Sequence, residues 1–182
     1  MRQAMRRGGF LLLVMCAAST AAWSQAAPPV VETRTVLATD AGHSGSTVEA
    51  AVEAEIASGY HINDHHPSLD YLIPTELKLD PSKQVSVEKV VYPKGEPQKF
   101  AFADEPLSVY EGNLVVGAKL KIASGLAPGV YTLKGKLAYQ ACNDHACLPP
   151  ASAPVTLTVK VVERSVPLKR VNANVFRTIS FN

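Results

Sequence analysis

Residues 47–56 alternate almost without a break. Val48, Ala50, Val52, Ala54 and Ile56 are apolar, and among the residues between them only Ala51 is not polar. A two-residue period assigns one set to each face of a pleated strand, whereas a helix would scatter both sets around its axis. The alanine content permits a helix here, but the alternation selects a strand. The same reading predicts strands at 33–37, 75–79, 85–92, 100–102 and 114–122. The last of these puts Leu114, Val116, Ala118, Leu120 and Ile122 on one face. A long strand runs from Tyr131 to Cys142, and a final one carries Val155, Leu157, Val159 and Val161. Residues 60–67 are polar and histidine-bearing, and read as a loop or a short edge strand. Pro, Gly, Asp or Asn bounds each run, and no segment reads convincingly as helix. Seven or eight short strands with such breaks predict an all-β, antiparallel β-sandwich.

The first 26 residues carry a different pattern. Arg2, Arg6 and Arg7 precede an apolar run from Phe10 to Ala18, and small residues lead to Ser24-Gln25-Ala26. This is the layout of a cleaved signal peptide, and the apolar run is well short of the roughly 20 residues a membrane-spanning helix needs. The expected organisation is a signal peptide at 1–26, one domain at 27–162 and a tail at 163–182. A lipid anchor on Cys16 is disfavoured because Met15 stands where a small residue is expected. The tail mixes Arg and Lys with Val171, Val175, Phe176, Ile179 and Phe181, and is equally compatible with an edge strand, a segment packed on the sandwich, or a mobile end.

Cleavage removes three basic residues and no acidic ones, leaving 15 basic against 16 acidic residues and a net charge of −1. No basic patch or run of like charge remains to favour nucleic acid or an anionic membrane surface as partner. Cleavage also removes Cys16. Cys142 and Cys147 are then the two cysteines left in an oxidising compartment, and within one chain they can pair only with each other.

If the strand 131–142 stays regular, Cys142 shares a face with Lys134, Lys136 and Gln140 and points away from the core, toward solvent or a covering loop, where a thiol can be attacked. Between the cysteines, Asn143-Asp144-His145-Ala146 begins with turn formers and lets the chain reverse. Closing so small a loop contributes only about 2 kcal/mol by the chain-entropy estimate, a modest reason to keep a disulfide. His145 would favour a thiolate and Asp144 would oppose it. Two readings stand side by side: a thiol–disulfide exchange site, and an inert staple in a non-catalytic interaction module. His61, His65, His66 and His145 raise zinc or copper, but their spacing matches no compact ligand motif, so the expectation is no metal and no cofactor.

The segment from Tyr139 to Pro150, YQACNDHACLPP, resembles the active-site hairpin of the DsbD N-terminal periplasmic domain family, with Tyr-Gln before the first cysteine and two prolines one residue after the second. Gly59-Tyr60-His61-Ile62, Leu72-Ile73-Pro74-Thr75 and Val109-Tyr110-Glu111-Gly112 extend the resemblance over roughly 33–161. It implies an immunoglobulin-like sandwich in the periplasm whose pair, Cys142 and Cys147, takes electrons from a membrane-embedded donor and passes them to periplasmic thiol–disulfide oxidoreductases. The family's membrane and thioredoxin-like domains are not in this sequence, so the donor is expected to be a separate protein. The family caps its disulfide with an aromatic side chain after an Asp-Glu pair. Here Asp104-Glu105 is followed by Pro106-Leu107, leaving Leu107 or Phe102 as the expected shield. Cys147, leading into Leu148-Pro149-Pro150, is expected to bond to partners and Cys142 to resolve the adduct, as the resemblance also implies.

Overall fold

The computed structural model describes residues 29–101 and 103–181, so the segment 1–26, expected to be a signal peptide, lies outside the described residues. Twelve strands form three sheets. The first sheet has the order β1-β3-β9-β6, formed by Val31–Leu37, Thr47–Ile56, Asn113–Ile122 and Val85–Val91. The second has the order β2-β12-β10-β5, formed by Gly42–His43, Ala151–Val162, Gly129–Tyr139 and Glu76–Leu79. These two sheets face each other as the immunoglobulin-like sandwich. The alternation in β3 and β9 is realised in register, with Val48 opposite Leu120, Ala50 opposite Ala118, Val52 opposite Val116 and Ala54 opposite Leu114, all buried. Across the core lie Leu133 and Leu137 of β10 and Val155, Leu157, Val159 and Val161 of β12. Gly135 permits the close approach of β5, because a Cβ there would collide with the carbonyl of Lys78. At the sheet edges, the Thr33 and Thr35 hydroxyls of β1 donate to the carbonyls of Pro154 and Thr156 on β12 and tie one sheet to the other.

The third sheet has the order β11-β4-β8-β7, formed by Ala141–Cys142, His61–Asn63, Leu107–Tyr110 and Glu96–Gln98. Three of its strands prolong strands of the sandwich: β4 follows β3 through Gly59, β8 leads into β9 through Gly112, and β11 follows β10. Register places all three junctions at the same end of the sandwich, so the small sheet caps that end. Residues 61–63 are therefore an interior strand, flanked on both sides and fully buried, rather than a loop or an edge. Their polarity is satisfied locally: Asn63 donates from Nδ2 to the Ile73 carbonyl (2.9 Å) and accepts at its own carbonyl from the Thr75 hydroxyl (2.6 Å). The strand expected at 100–102 is displaced to Glu96–Gln98, where Pro97 is tolerated because β7 is an edge strand. Phe100 fills a small apolar cluster instead of joining a ladder.

Beyond β12 the chain turns back over the outer face of the first sheet. Arg170 bridges Thr39, the Lys169 amide donates to Asp40 Oδ1 (2.9 Å), and Asn172 Nδ2 donates to the Leu37 carbonyl (2.9 Å). One helical turn, α1 (Ala173–Phe176), follows, and Ile179 and Phe181 then lie on Gly117. Gly117 pairs with Ala51, so two of the smallest residues adjoin on the outward face and leave a notch for these side chains. Of the three fates open to the tail, the structure shows the packed one. A Cβ at Gly117 would sit 2.5 Å from Ile179 Cγ2 and 3.0 Å from the Phe181 ring. Gly117→Val is expected to lift the tail while leaving the sandwich folded. Overpacking of about 1–3 kcal/mol raises the open population about tenfold, read as faster tryptic cleavage at Lys169 and Arg170.

Candidate functional site

Strand β10 does not run on to Cys142. It ends at Tyr139, the chain breaks at Gln140, and β11 leaves the second sheet to pair with β4, setting Ala141 opposite Ile62 and Cys142 opposite His61. Of the two surroundings open to Cys142, solvent or a covering segment, the structure shows the covered one: Ala141 joins the sandwich core and Cys142 does not, yet Cys142 is buried. The break sets Cys142 beside His61 of β4, where it is 2% exposed. Gln140 Nε2 reaches forward to the Leu148 carbonyl (3.2 Å) and closes the base of the hairpin.

Within the hairpin, Cys142 and Cys147 stand directly opposite each other and are disulfide-bonded, with Cα atoms 3.9 Å apart. The backbone bonds fall outside and inside them: Leu148 N–H to the Ala141 carbonyl (2.8 Å) and Asn143 N–H to the Ala146 carbonyl (3.0 Å). The cysteines therefore occupy a non-hydrogen-bonded position, where opposed side chains come closest. Asn143 shapes the turn, its Oδ1 accepting from the amides of His145 and Ala146 (2.9 Å each). His145 and Asp144 are exposed at the tip. The two sulfurs have unequal surroundings: Cys142 is buried, whereas Cys147 is exposed, as are Pro149 and Pro150 beyond it.

His61 is buried at 2% exposure and its ring stacks on Phe100, with centroids 4.2 Å apart. Burial pushes its pKa below the usual imidazole range, against the pull of the Glu111 and Asp144 carboxylates. Its Nε2 is buried without a hydrogen-bond partner among the described residues. Phe100 belongs to a cluster with Leu107 and Val109, against which Leu69, Leu72 and Ala103 pack. Of the two residues expected to shield the sulfurs, Leu107 is buried in this cluster and Phe102 lies outside the described residues. Among the described residues, the Phe100 ring stacks on His61, the residue opposite Cys142.

The histidines of 61–66 do not converge. His65 stacks on Tyr92 at 3.7 Å, with Nδ1 3.0 Å from the Thr75 carbonyl, and His66 tilts against His65. Among the described residues, no three His, Cys, Asp or Glu side chains are grouped so as to hold a metal ion. Sequence reading placed His61 in a loop or short edge strand and gave it no role beyond a candidate metal ligand and a segment of the family resemblance. The signal it missed was that Tyr60-His61-Ile62 directly follows the Gly59 turn, where a new strand begins.

A buried carboxylate anchors β4. Asp64 Oδ1 accepts from the Tyr110 hydroxyl (2.6 Å) and the His66 amide (3.2 Å), and Oδ2 accepts from the Ser108 hydroxyl (2.7 Å) and the Gly95 amide (3.0 Å). Burial alone would raise the Asp64 pKa, but these four bonds outweigh it and hold the group below the ordinary carboxylate value. Tyr110 is pushed up, first by burial and then by its bond to Asp64.

Sandwich and hairpin define a class of immunoglobulin-like domain in which the disulfide does not bridge the two sheets through the core but closes a short hairpin in a small sheet at one end. The chain belongs to the family described as thiol:disulfide interchange protein DsbD, N-terminal, which matches residues 27–159. Solved structures similar to it include the reduced N-terminal domain of DsbD from Neisseria meningitidis (21% identity, TM-score 0.43, covering 70% of this chain and 85% of that one). The N-terminal periplasmic domain of ScsB from Proteus mirabilis is similar at 19% identity and a TM-score of 0.48, covering 73% of this chain and 47% of that one. A third is the complex between the DsbD and PilB N-terminal domains of Neisseria meningitidis (20% identity, TM-score 0.39, covering 67% and 80%). No curated protein matches the chain significantly.

Because the folded pKa of Asp64 is lowered, its stabilising contribution is complete above the unfolded value of about 3.9 and is lost as pH falls through the folded value. Asp64→Ala is expected to cost about 2–3 kcal/mol at pH 7, the scale of hydrogen bonds to a charged group. Below pH 4 the wild type is expected to lose stability more steeply than the variant. Urea titrations at pH 7, 4 and 3 check both statements.

Proposed function

We propose that this domain exchanges disulfides with protein partners through Cys142 and Cys147. In the periplasm, reached by way of the signal peptide at 1–26, it relays electrons from a separate membrane-embedded donor to thiol–disulfide oxidoreductases. The observation that carries the reading is the inequality of the two sulfurs, Cys142 at 2% exposure and Cys147 exposed on a hairpin outside the sandwich core. Exchange requires one sulfur open to an incoming thiolate and a second held close enough to expel the partner. The family match over residues 27–159 supports the same chemistry. Among the described residues, no helix is long and apolar enough to cross a membrane.

In the loading half, a donor thiolate attacks Cys147 Sγ, the Cys142–Cys147 bond breaks, and its electron pair leaves on Cys142. A second donor thiol then releases the donor as a disulfide, and the domain keeps two thiols. In the delivery half, the Cys147 thiolate attacks the disulfide of an oxidised partner and expels one partner thiol. Cys142 then attacks Cys147, re-forming the domain disulfide and releasing the reduced partner.

The roles are tested by trapping in periplasmic extract. Cys142→Ser is expected to accumulate reductant-sensitive adducts through Cys147, and Cys147→Ser is expected to accumulate few. The opposite pattern would exchange the roles. Adducts from neither variant would leave an inert disulfide in an interaction module as the better account.

A further inference from the structure

His61 stands directly across the β11–β4 ladder from Cys142. Side chains so placed share a face, with Cβ atoms about 4.5–5.5 Å apart. An imidazole there is within reach of the cysteine sulfur once the disulfide opens and Sγ is released from Cys147. His61 is also nearly inaccessible, and its Nε2 finds no hydrogen-bond partner among the described residues, although most buried polar atoms have one. A buried ring nitrogen left unpaired beside a disulfide has an evident partner in the reduced and mixed-disulfide states, the Cys142 thiol.

The exchange reaction needs a base at that point. Cys142 must attack as a thiolate, yet it lies at 2% exposure, where burial disfavours the charged form and bulk hydroxide has little access. We propose that His61 is the base of the resolving step, its imidazole taking the Cys142 thiol proton as that sulfur attacks the mixed disulfide between Cys147 and a partner. The inference rests on the exchange reading above. The Cys142–Cys147 bond forms, the Cys147–partner bond breaks with its electron pair leaving on the partner sulfur, and the proton passes from His61 to that leaving thiolate or to water.

The surroundings suit the task. Burial keeps the ring neutral at pH 7, so a lone pair is available. The charged groups facing it are Glu111, from the turn between β8 and β9, and Asp144, from the hairpin; both favour the imidazolium that the transfer creates. Phe100 covers a ring face with an aromatic surface and no competing charge.

The test uses the reduced domain with an equimolar aromatic disulfide probe, 5,5′-dithiobis(2-nitrobenzoate), followed by stopped flow at several pH values. Attack by Cys147 releases the first thionitrobenzoate, and attack by Cys142 on the mixed disulfide releases the second. His61→Gln and His61→Phe are expected to leave the first phase unchanged. The second phase is expected to slow about tenfold or more at pH 7, in line with the loss of a general base, and to approach the wild-type rate above pH 9. A second phase at the wild-type rate in whichever variant folds would overturn the role of His61. So would a slowing equal at pH 7 and pH 9, which would mark a packing defect. Failure of the exchange reading looks different: the wild-type domain would show no first phase, or Cys142→Ser would trap no partner.

Discussion

The change of sheet at Gln140 is the constraint on which the site depends. Up to Tyr139 the strand is part of the sandwich, its alternate residues buried against the opposing sheet. Two residues later the chain pairs with β4 in the small end sheet. The break sets Cys142 beside β4, buried, and leaves Cys147 exposed on the return limb. The inequality on which the proposed exchange rests follows from a change of hydrogen-bonding partner over two residues.

That arrangement holds only if β4 is itself fixed, and β4 is short and polar. The Asp64 carboxylate supplies the anchorage, gathering donors from β8, from the segment before β7 and from its own turn. Its four hydrogen bonds offset the desolvation of a buried charge, the condition under which such a group rigidifies rather than destabilises. Phe100 completes the support from the other side by stacking on His61. Asp64 reaches the sandwich core through the Tyr110 hydroxyl, whereas Phe100 belongs to a separate small cluster, so the end sheet is held by polar and aromatic contacts of its own as well as by the core.

Most of the sandwich was legible because its strands have one wet face and one dry face. The reading of 47–56 coincides with β3, and that of 114–122 falls one residue short of β9, since period-2 alternation is an unambiguous signal when the face is buried by another sheet. The end sheet was not legible for the opposite reason. His61, Asn63 and Asp64 are buried but polar, and nothing in their composition separates a satisfied polar strand from a solvated loop. The cysteine pair was found from its spacing and from the family resemblance. Alternation assigned Cys142 to the face away from the core but could not say whether solvent or another segment lies over that face, and Gln140 is not a residue type that announces a change of sheet. The tail lies beyond the matched residues 27–159, and the seat of Ile179 and Phe181 on the sheet is the notch at Gly117 and Ala51, where a missing side chain leaves no mark in a hydrophobicity pattern.

A four-residue loop between the cysteines contributes little to chain-entropy stabilisation, so the disulfide has a modest structural purpose and its accessibility points to exchange. The most direct measurement is the reduction potential of the Cys142–Cys147 pair, equilibrated against glutathione redox buffers and read by thiol alkylation. A redox-active pair is expected above about −300 mV, within the range across which cellular dithiols exchange. A value well below about −300 mV would identify a structural disulfide and contradict the exchange function.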